Sequence, residues 1–224
     1  MSPYALFALL LAILGLTTSP AALRAEEFAK APVRIQDENY QHVTDSDISG
    51  VEKAGNFGFV YAAQWAVYYA SQSETIKEHG GMENWTENPF KPHFDKDHFN
   101  YNLFKHTAVG QYYYLFYRSR GYDKKTAFAW TTLSSLAFEF TIETMTERPS
   151  YQDIYQTPVF GSIVGMGFEQ LSLYFHSLET WPSTMLGYLF NPFTVLPFSH
   201  YKMGFYPARI DNKTAVAIRF GMDL

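Results

Sequence analysis

Residues 99–169 read FNYNLFKHTAVGQYYYLFYRSRGYDKKTAFAWTTLSSLAFEFTIETMTERPSYQDIYQTPVFGSIVGMGFE, and this stretch decides the fold. Three helix-like segments follow one another in it. Each carries a polar or small stripe on an otherwise apolar, aromatic surface. The first stripe is Asn102, His106, Gly110, Tyr113 and Tyr117; the second is Thr132, Ser135, Glu139 and Glu143. The third is Thr157, Gly161, Gly165 and Glu169, continued by Ser172 and His176. Steps of three and four place each set on one helical face. A water-soluble helix turns its apolar face inward and its charges outward. Charges are too sparse here to form a water-facing side, so the stripes are expected to face one another. The fold class is therefore mainly α: a membrane-associated bundle of about five helices around a polar and small-residue seam.

Working outward, Gly50 to His79 reads as one long helix stopped by Gly80-Gly81. Its middle, Phe57 to Ala70, carries no charge and is apolar almost all round, which predicts a central buried helix; a short span or a helix lying in a membrane interface is the alternative. Gly81 to His98 reads as a loop rich in Pro, Asn and Asp. The next helix spans about Phe99 to Arg120. Asp123 suits the N-cap of its successor, Lys124 to about Glu147. Ser150 and Asp153 have capping-box spacing for a short turn, and Thr157-Pro158 predicts a fresh helix start reaching about Glu179. Ser183 to Phe190 predicts one more short helix.

The apolar run Tyr4 to Leu16, followed by Ala22-Leu23-Arg24-Ala25, reads as a secretory signal cleaved after residue 25. An uncleaved anchor is the alternative, although the run is shorter than the ~20 residues a membrane span needs. Residues 26–50 read as a polar linker, residues 51–200 as the helical core domain, and residues 201–224 as a short C-terminal β-hairpin. In the last of these, Val216, Ile218, Phe220, Met222 and Leu224 alternate with Ala217, Arg219, Gly221 and Asp223. Two strands cannot close a transmembrane barrel, which needs at least about eight in bacteria.

Composition narrows the function classes. There is no Cys, so lipoprotein anchors, disulfides, thiol catalysis and cysteine metal sites are excluded. The chain has 17 Lys and Arg against 22 Asp and Glu, a net charge of −5 that speaks against nucleic acid. No phosphate loop or dinucleotide fingerprint occurs, so no nucleotide and no cofactor are expected. Aromatic residues make up 18% and charged ones only 17%. Soluble domains average about 25% charged, and Tyr and Trp favour membrane interfaces.

Several residues could carry chemistry. Glu139 and Glu143 stand one turn apart on a helix rich in Phe, Leu, Ala and Trp. Two carboxyls so placed repel when both are ionised, which raises one pKa toward the range of a general acid or base. With His106 they are the catalytic candidates. The structural alternative pairs them with Arg118, Arg120 or Arg148, or with buried Tyr. Asn102, Tyr113, Arg118, Glu147, Asp153, Gly161, Gly165, Glu169 and His176 complete the seam. The bundle could bring His106 and Glu169 or His176 against the Glu pair as a metal site, but the Glu-x-x-His signature of di-metal bundles is absent and no metal is assigned. His93, Asp95, Asp97 and His98 have no standard ligand spacing and read as a solvated loop. Gly161-Ser-Ile-Val-Gly165 reads as a close helix approach.

Order and spacing then point to a family. Asn102, His106, Gly110, Tyr113-Tyr114 and Tyr117-Arg118-Ser119-Arg120-Gly121 come first. Phe138-Glu139, Glu143, Glu147, Pro149-Ser150-Tyr151-Gln152-Asp153, Thr157-Pro158, Gly161 and Gly165 follow. This series resembles the bacterial envelope family called domain of unknown function 3943 over roughly the middle third of the chain. The chain departs from the family pattern at Thr107, where Pro is usual, at Phe138 for Trp, and at Met166 for Glu. The resemblance implies a bacterial envelope protein and implies no reaction. The expected function is thus an exported protein of the periplasm or outer membrane of a Gram-negative bacterium. Its role is structural or binding, and its partner is a membrane lipid or another envelope protein. The alternative is an envelope hydrolase or transferase that works on a lipid or cell-wall component through the Glu/His seam.

Overall fold

The computed structural model describes residues 48–94 and 96–195, together with the backbone of residues 201–210 and 213–222. The chain divides into Met1–Val33 and Arg34–Leu224, and every described residue belongs to the second unit. The expected signal segment, and the linker up to residue 47, lie outside the described residues.

The described part is mainly helical, with seven α-helices. They are α1 (Gly50–Ser71), α2 (Ser73–His79), α3 (Met82–Glu87), α4 (Phe99–Ser119), α5 (Lys124–Ala137), α6 (Tyr151–Ser177) and α7 (Trp181–Phe190). Five of these have ten residues or more; α2 and α3 are short additions. The expected helix 50–79 breaks at Gln72, and the expected loop 81–98 begins with α3 and a 3₁₀ turn, Asn88–Phe90. Past α7, the backbone of β1 (Tyr201–Ile210) runs antiparallel to β2 (Lys213–Met222), with Tyr201 opposite Met222.

Helix starts follow local chemistry. Asp123 caps α5 by accepting from Lys125 N at 2.8 Å and Thr126 N at 2.9 Å. Ser150 caps α6, accepting from Asp153 N. Thr180 and Ser183 form a capping box on α7. One expected start is overturned: α6 runs straight through Thr157-Pro158. Pro158 removes a helical donor there, a change that costs ~3 kcal/mol in an ordinary helix interior. Seam packing offsets it, because Thr157 faces His106 at 2.9 Å and does not turn back to cap the helix.

The other departure follows α5. The expected helix to Glu147 stops being α-helical at Ala137. It becomes a π turn, Phe138–Ile142, and then a 3₁₀ turn, Glu143–Met145. A π turn is wider than an α turn and shifts the faces that follow it. Glu139 and Glu143 both sit in this remodelled stretch.

Helices α4 and α6 are parallel neighbours in constant register. Asn102 meets Asp153, His106 meets Thr157, and Arg118 meets Glu169, each pair 51 residues apart. Gly110 faces Gly161 and Tyr114 faces Gly165 at the same offset. At the centre the backbones touch: a Cβ on Gly161 would lie 2.5 Å from Gly110 Cα. Helix α5 runs back beside them, with Tyr117 Oη bonded to Ser134 Oγ at 2.8 Å. Helix α1 joins through Asn56 to Tyr122 Oη and through Gln64 to Ser134 O.

Polarity is inverted relative to a water-soluble bundle. Helix α1 buries Glu52, Asn56, Val60, Gln64 and Tyr68, a strict four-residue period. On its outside Phe59 is 62% exposed and Val67 67%. The expectation that Phe57 to Ala70 is a central helix buried all round is therefore wrong: the helix is peripheral, and it is the polar edge that is inside. Helix α6 likewise buries Asp153, Gln156, Thr157, Ser162, Glu169, Ser172 and His176 while Ile163 is exposed. Among the described residues, no helix is long and apolar enough to cross a membrane.

Candidate functional site

The seam resolves into three clusters at successive levels of the α4–α6 pair. The cluster at its lower-numbered end holds most of the candidate residues. Asn102 Nδ2 donates to Asp153 Oδ1 at 2.7 Å. His106 lies between helices, with Nδ1 2.9 Å from Thr157 Oγ1 and Nε2 3.4 Å from Asp153 Oδ1. Glu139 enters from the π turn, and its Oε2 accepts from Ser150 N at 3.2 Å. Both the π turn and the Ser150 cap are thus needed to place this carboxyl against His106. One donor atom from each of His106, Glu139 and Asp153 falls within 4.8 Å of the others, and all three residues are buried.

The electrostatics of this cluster favour neutral acids. Glu139 is 1% exposed. Burial, then the neighbouring Glu143 and Asp153, push its carboxyl well above the usual range. Burial also raises Glu143, to about 7, with Lys105 opposing the rise. The two carboxyls stand close enough to share a proton. The expected Arg partners are absent from the described contacts of the pair. Arg118 goes to Glu169, and Arg120 goes to Glu52 at 3.1 Å.

A cavity of about 370 Å³ opens onto this cluster. Ala63, Val67, Val109, Tyr112 and Phe138 form its apolar walls; Gln64, His106, Glu139, Glu143 and Thr157 form its polar end, and Lys105 lies on its lining. Tyr113 also lines it, half-buried, its phenol raised above its ordinary value mainly by burial. The volume falls within the range of small-molecule sites. The seam is not sealed at this point.

The second cluster is an ion pair. Arg118 and Glu169 are each 1% exposed. Arg118 Nε donates to both Glu169 oxygens at 3.0 and 3.1 Å, its Nη2 donates to Oε1 at 2.6 Å, and its Nη1 bonds the Tyr122 carbonyl. Glu169 is therefore bound to a structural partner and lies apart from Glu139. The third cluster lies at the far end of α6. His176 Nε2 meets Thr194 Oγ1 at 3.0 Å, and Ser172 Oγ donates to Gly187 O at 2.8 Å.

His176 gives a pH prediction. Burial holds its imidazole below the usual value of about 6.5. The unfolded chain then takes up this proton more readily than the folded one. Its contribution to stability is complete above pH ~6.5 and is lost as pH falls through that value. His176→Gln is expected to lose less melting temperature than the parent between pH 7.5 and pH 5. The raised carboxyls slope the other way in both proteins, so the parent-minus-variant difference is the quantity read. Identical losses would refute the assignment.

Of the expected seam residues, Asn102, His106, Tyr113, Glu139, Glu143 and Asp153 gather at or beside the cavity. Gly161 and Gly165 form the helix contact, and Arg118, Glu169 and His176 serve the other two clusters. Glu147 is exposed, a correction that follows from the 3₁₀ turn ending at Met145. Gln64, Tyr68 and Lys105 were not expected at the site. The signal for the first two was present in the four-residue spacing Glu52, Asn56, Val60, Gln64, Tyr68, hidden among apolar neighbours.

Neither a curated protein nor a solved structure matches the chain. A family model described as Domain of unknown function (DUF3943) matches residues 91–193, the segment holding α4, α5, α6 and α7. The motif order from Asn102 to Gly165 points to the same family. The helices that supply His106, Glu139 and Asp153 lie within the segment that this family model matches.

Proposed function

We propose that this is an exported envelope protein that rests in a membrane surface and binds an amphiphile, a membrane lipid or a lipid-linked envelope component. The observation that carries the reading is the cavity between α1 and α4. Its exposed lining carries Val67 and Val109 with Lys105 and Ser71 beside them, and its buried lining includes His106 and Glu139. An amphiphile fits such a gradient with its head at the carboxyls and its tail leaving toward the apolar outside. The inverted polarity of the bundle supports lipid as the surrounding solvent, since large apolar surface facing water is unfavourable. The aromatic-rich outside suits a membrane interface. Helices too short or too polar to span are compatible with a body lodged in one leaflet, and the C-terminal β-hairpin belongs to the same reading as an appended surface element.

The test is native mass spectrometry of the full chain extracted in mild detergent. One bound amphiphile per chain is expected. Val67→Glu with Val109→Glu should lower occupancy at least ~10-fold, because each places a charge in the apolar wall. Ile163→Glu, on an exposed flank away from the cavity, should leave occupancy unchanged. Equal occupancy in all three proteins would overturn the reading.

A second reading is a hydrolase or transferase acting on such an amphiphile. What favours it is that His106 and two carboxyls stand at the end of an open cavity, where a sealed, fully bonded seam would serve a purely structural role. Incubation with an envelope lipid extract and product detection by mass spectrometry tests it. Turnover abolished by Glu139→Gln supports it, and no turnover by the parent removes it.

A further inference from the structure

We propose that His106, Glu139 and Asp153 form a binding site for one divalent transition-metal ion of the Zn²⁺, Mn²⁺ or Fe²⁺ class. Their donor atoms converge within 4.8 Å, from three different elements. His106 Nε2 and Asp153 Oδ1 are 3.4 Å apart, close to the edge of a tetrahedron whose ligands lie ~2.0–2.2 Å from the metal.

Each prospective ligand is already oriented. Thr157 Oγ1 can accept from His106 Nδ1–H, and in that tautomer Nε2, on the Asp153 side, carries the lone pair that a metal ion takes. Asn102 holds Asp153 Oδ1, and the Ser150 amide holds Glu139 Oε2. Metal-binding histidines and carboxylates are characteristically oriented by such hydrogen-bonded partners. A further observation points to a missing occupant. Glu139 Oε1 is buried and, apart from a proton shared with Glu143, is offered no donor by the described residues. The Glu143 carboxyl beside it can share a proton with it but supplies no cation. Arg118, fully buried in the bundle, is bound to Glu169.

One imidazole with two carboxylates selects against Mg²⁺ and Ca²⁺, which prefer all-oxygen sets, and suits Zn²⁺, Mn²⁺ or Fe²⁺. His106 and Glu139 line the cavity. A metal there would keep an open position toward it, the arrangement of sites that activate water or polarise a ligand oxygen. This inference does not depend on an amphiphile entering the cavity.

The full chain in detergent, stripped with chelator, is titrated with Zn²⁺ and separately with Mn²⁺ by calorimetry. Bound metal is then counted by elemental analysis. One equivalent of one of these ions per chain is expected, with a raised melting temperature. His106→Gln and Glu139→Gln should each weaken binding at least ~10-fold. His98→Gln, in the segment outside the cavity, should not. If the parent takes up no stoichiometric metal the proposal fails without recourse to any variant. It also fails if His106→Gln and Glu139→Gln, shown folded by their melts, bind as the parent does.

Discussion

Gly161→Ala is expected to cost about 3 kcal/mol or more, and Gly110→Ala a similar amount, beyond the usual range for adding one methyl group. An added Cβ at Gly161 would lie 2.5 Å from Gly110 Cα and from its carbonyl carbon; one at Gly110 would lie 1.8 Å from Thr157 O. These are backbone atoms and cannot rotate away. The only relief is to part α4 from α6, and that separates every pair held at the 51-residue offset, His106–Thr157 and Arg118–Glu169 included. Gly58 and Gly167 provide the contrast. A Cβ at either meets nothing within 4 Å, and both lie inside helices. Alanine there should be stabilising by up to ~1 kcal/mol through helix propensity. Chemical denaturation of the four variants in detergent reads the difference. Similar stabilities for Gly161→Ala and Gly167→Ala would mean that the helices do not touch as described.

The Arg118–Glu169 pair carries the second large effect. Arg118→Met or Glu169→Gln alone leaves a charge fully buried without its partner, which costs about 3–5 kcal/mol. Arg118 also bonds the Tyr122 carbonyl, so its loss strips the α4–α5 turn of a donor as well. The double variant Arg118→Met/Glu169→Leu should recover much of the loss, because an apolar replacement of a buried pair is often neutral. A double variant as unstable as the sum of the single changes would show that the two residues act independently.

The helical class, the N-caps at Asp123 and Ser150 and the small-residue contact were all legible in the chain. Each rests on local rules: a capping side chain reaches only two or three residues, and a period of three to four residues fixes one face. The inwardness of Glu139, Glu143, His106 and Asp153 was legible for the same reason. The break at Gln72, the passage of α6 through Pro158 and the π turn at Phe138–Ile142 were not. The last two are choices in which a local preference yields to packing. Pro158 stays helical because Asp153, Thr157 and Gly161 on either side of it are held against α4.

The identity of the partners was likewise beyond the sequence. Periodicity placed Glu139, Glu143 and Glu169 on inner faces, and Arg118 was counted with the seam, but a face does not say at which level along the bundle a residue meets its neighbour. That level is set by the Gly110–Gly161 contact, which fixes the 51-residue register, and by the π turn, which shifts Glu139 toward Ser150 and His106. Residue type and spacing determined that this chain hides its polar groups among helices. The parallel register of α4 and α6 decided that one carboxylate meets arginine while another faces a histidine at the end of an open cavity, because pairing between distant segments depends on their relative translation and not on either segment alone.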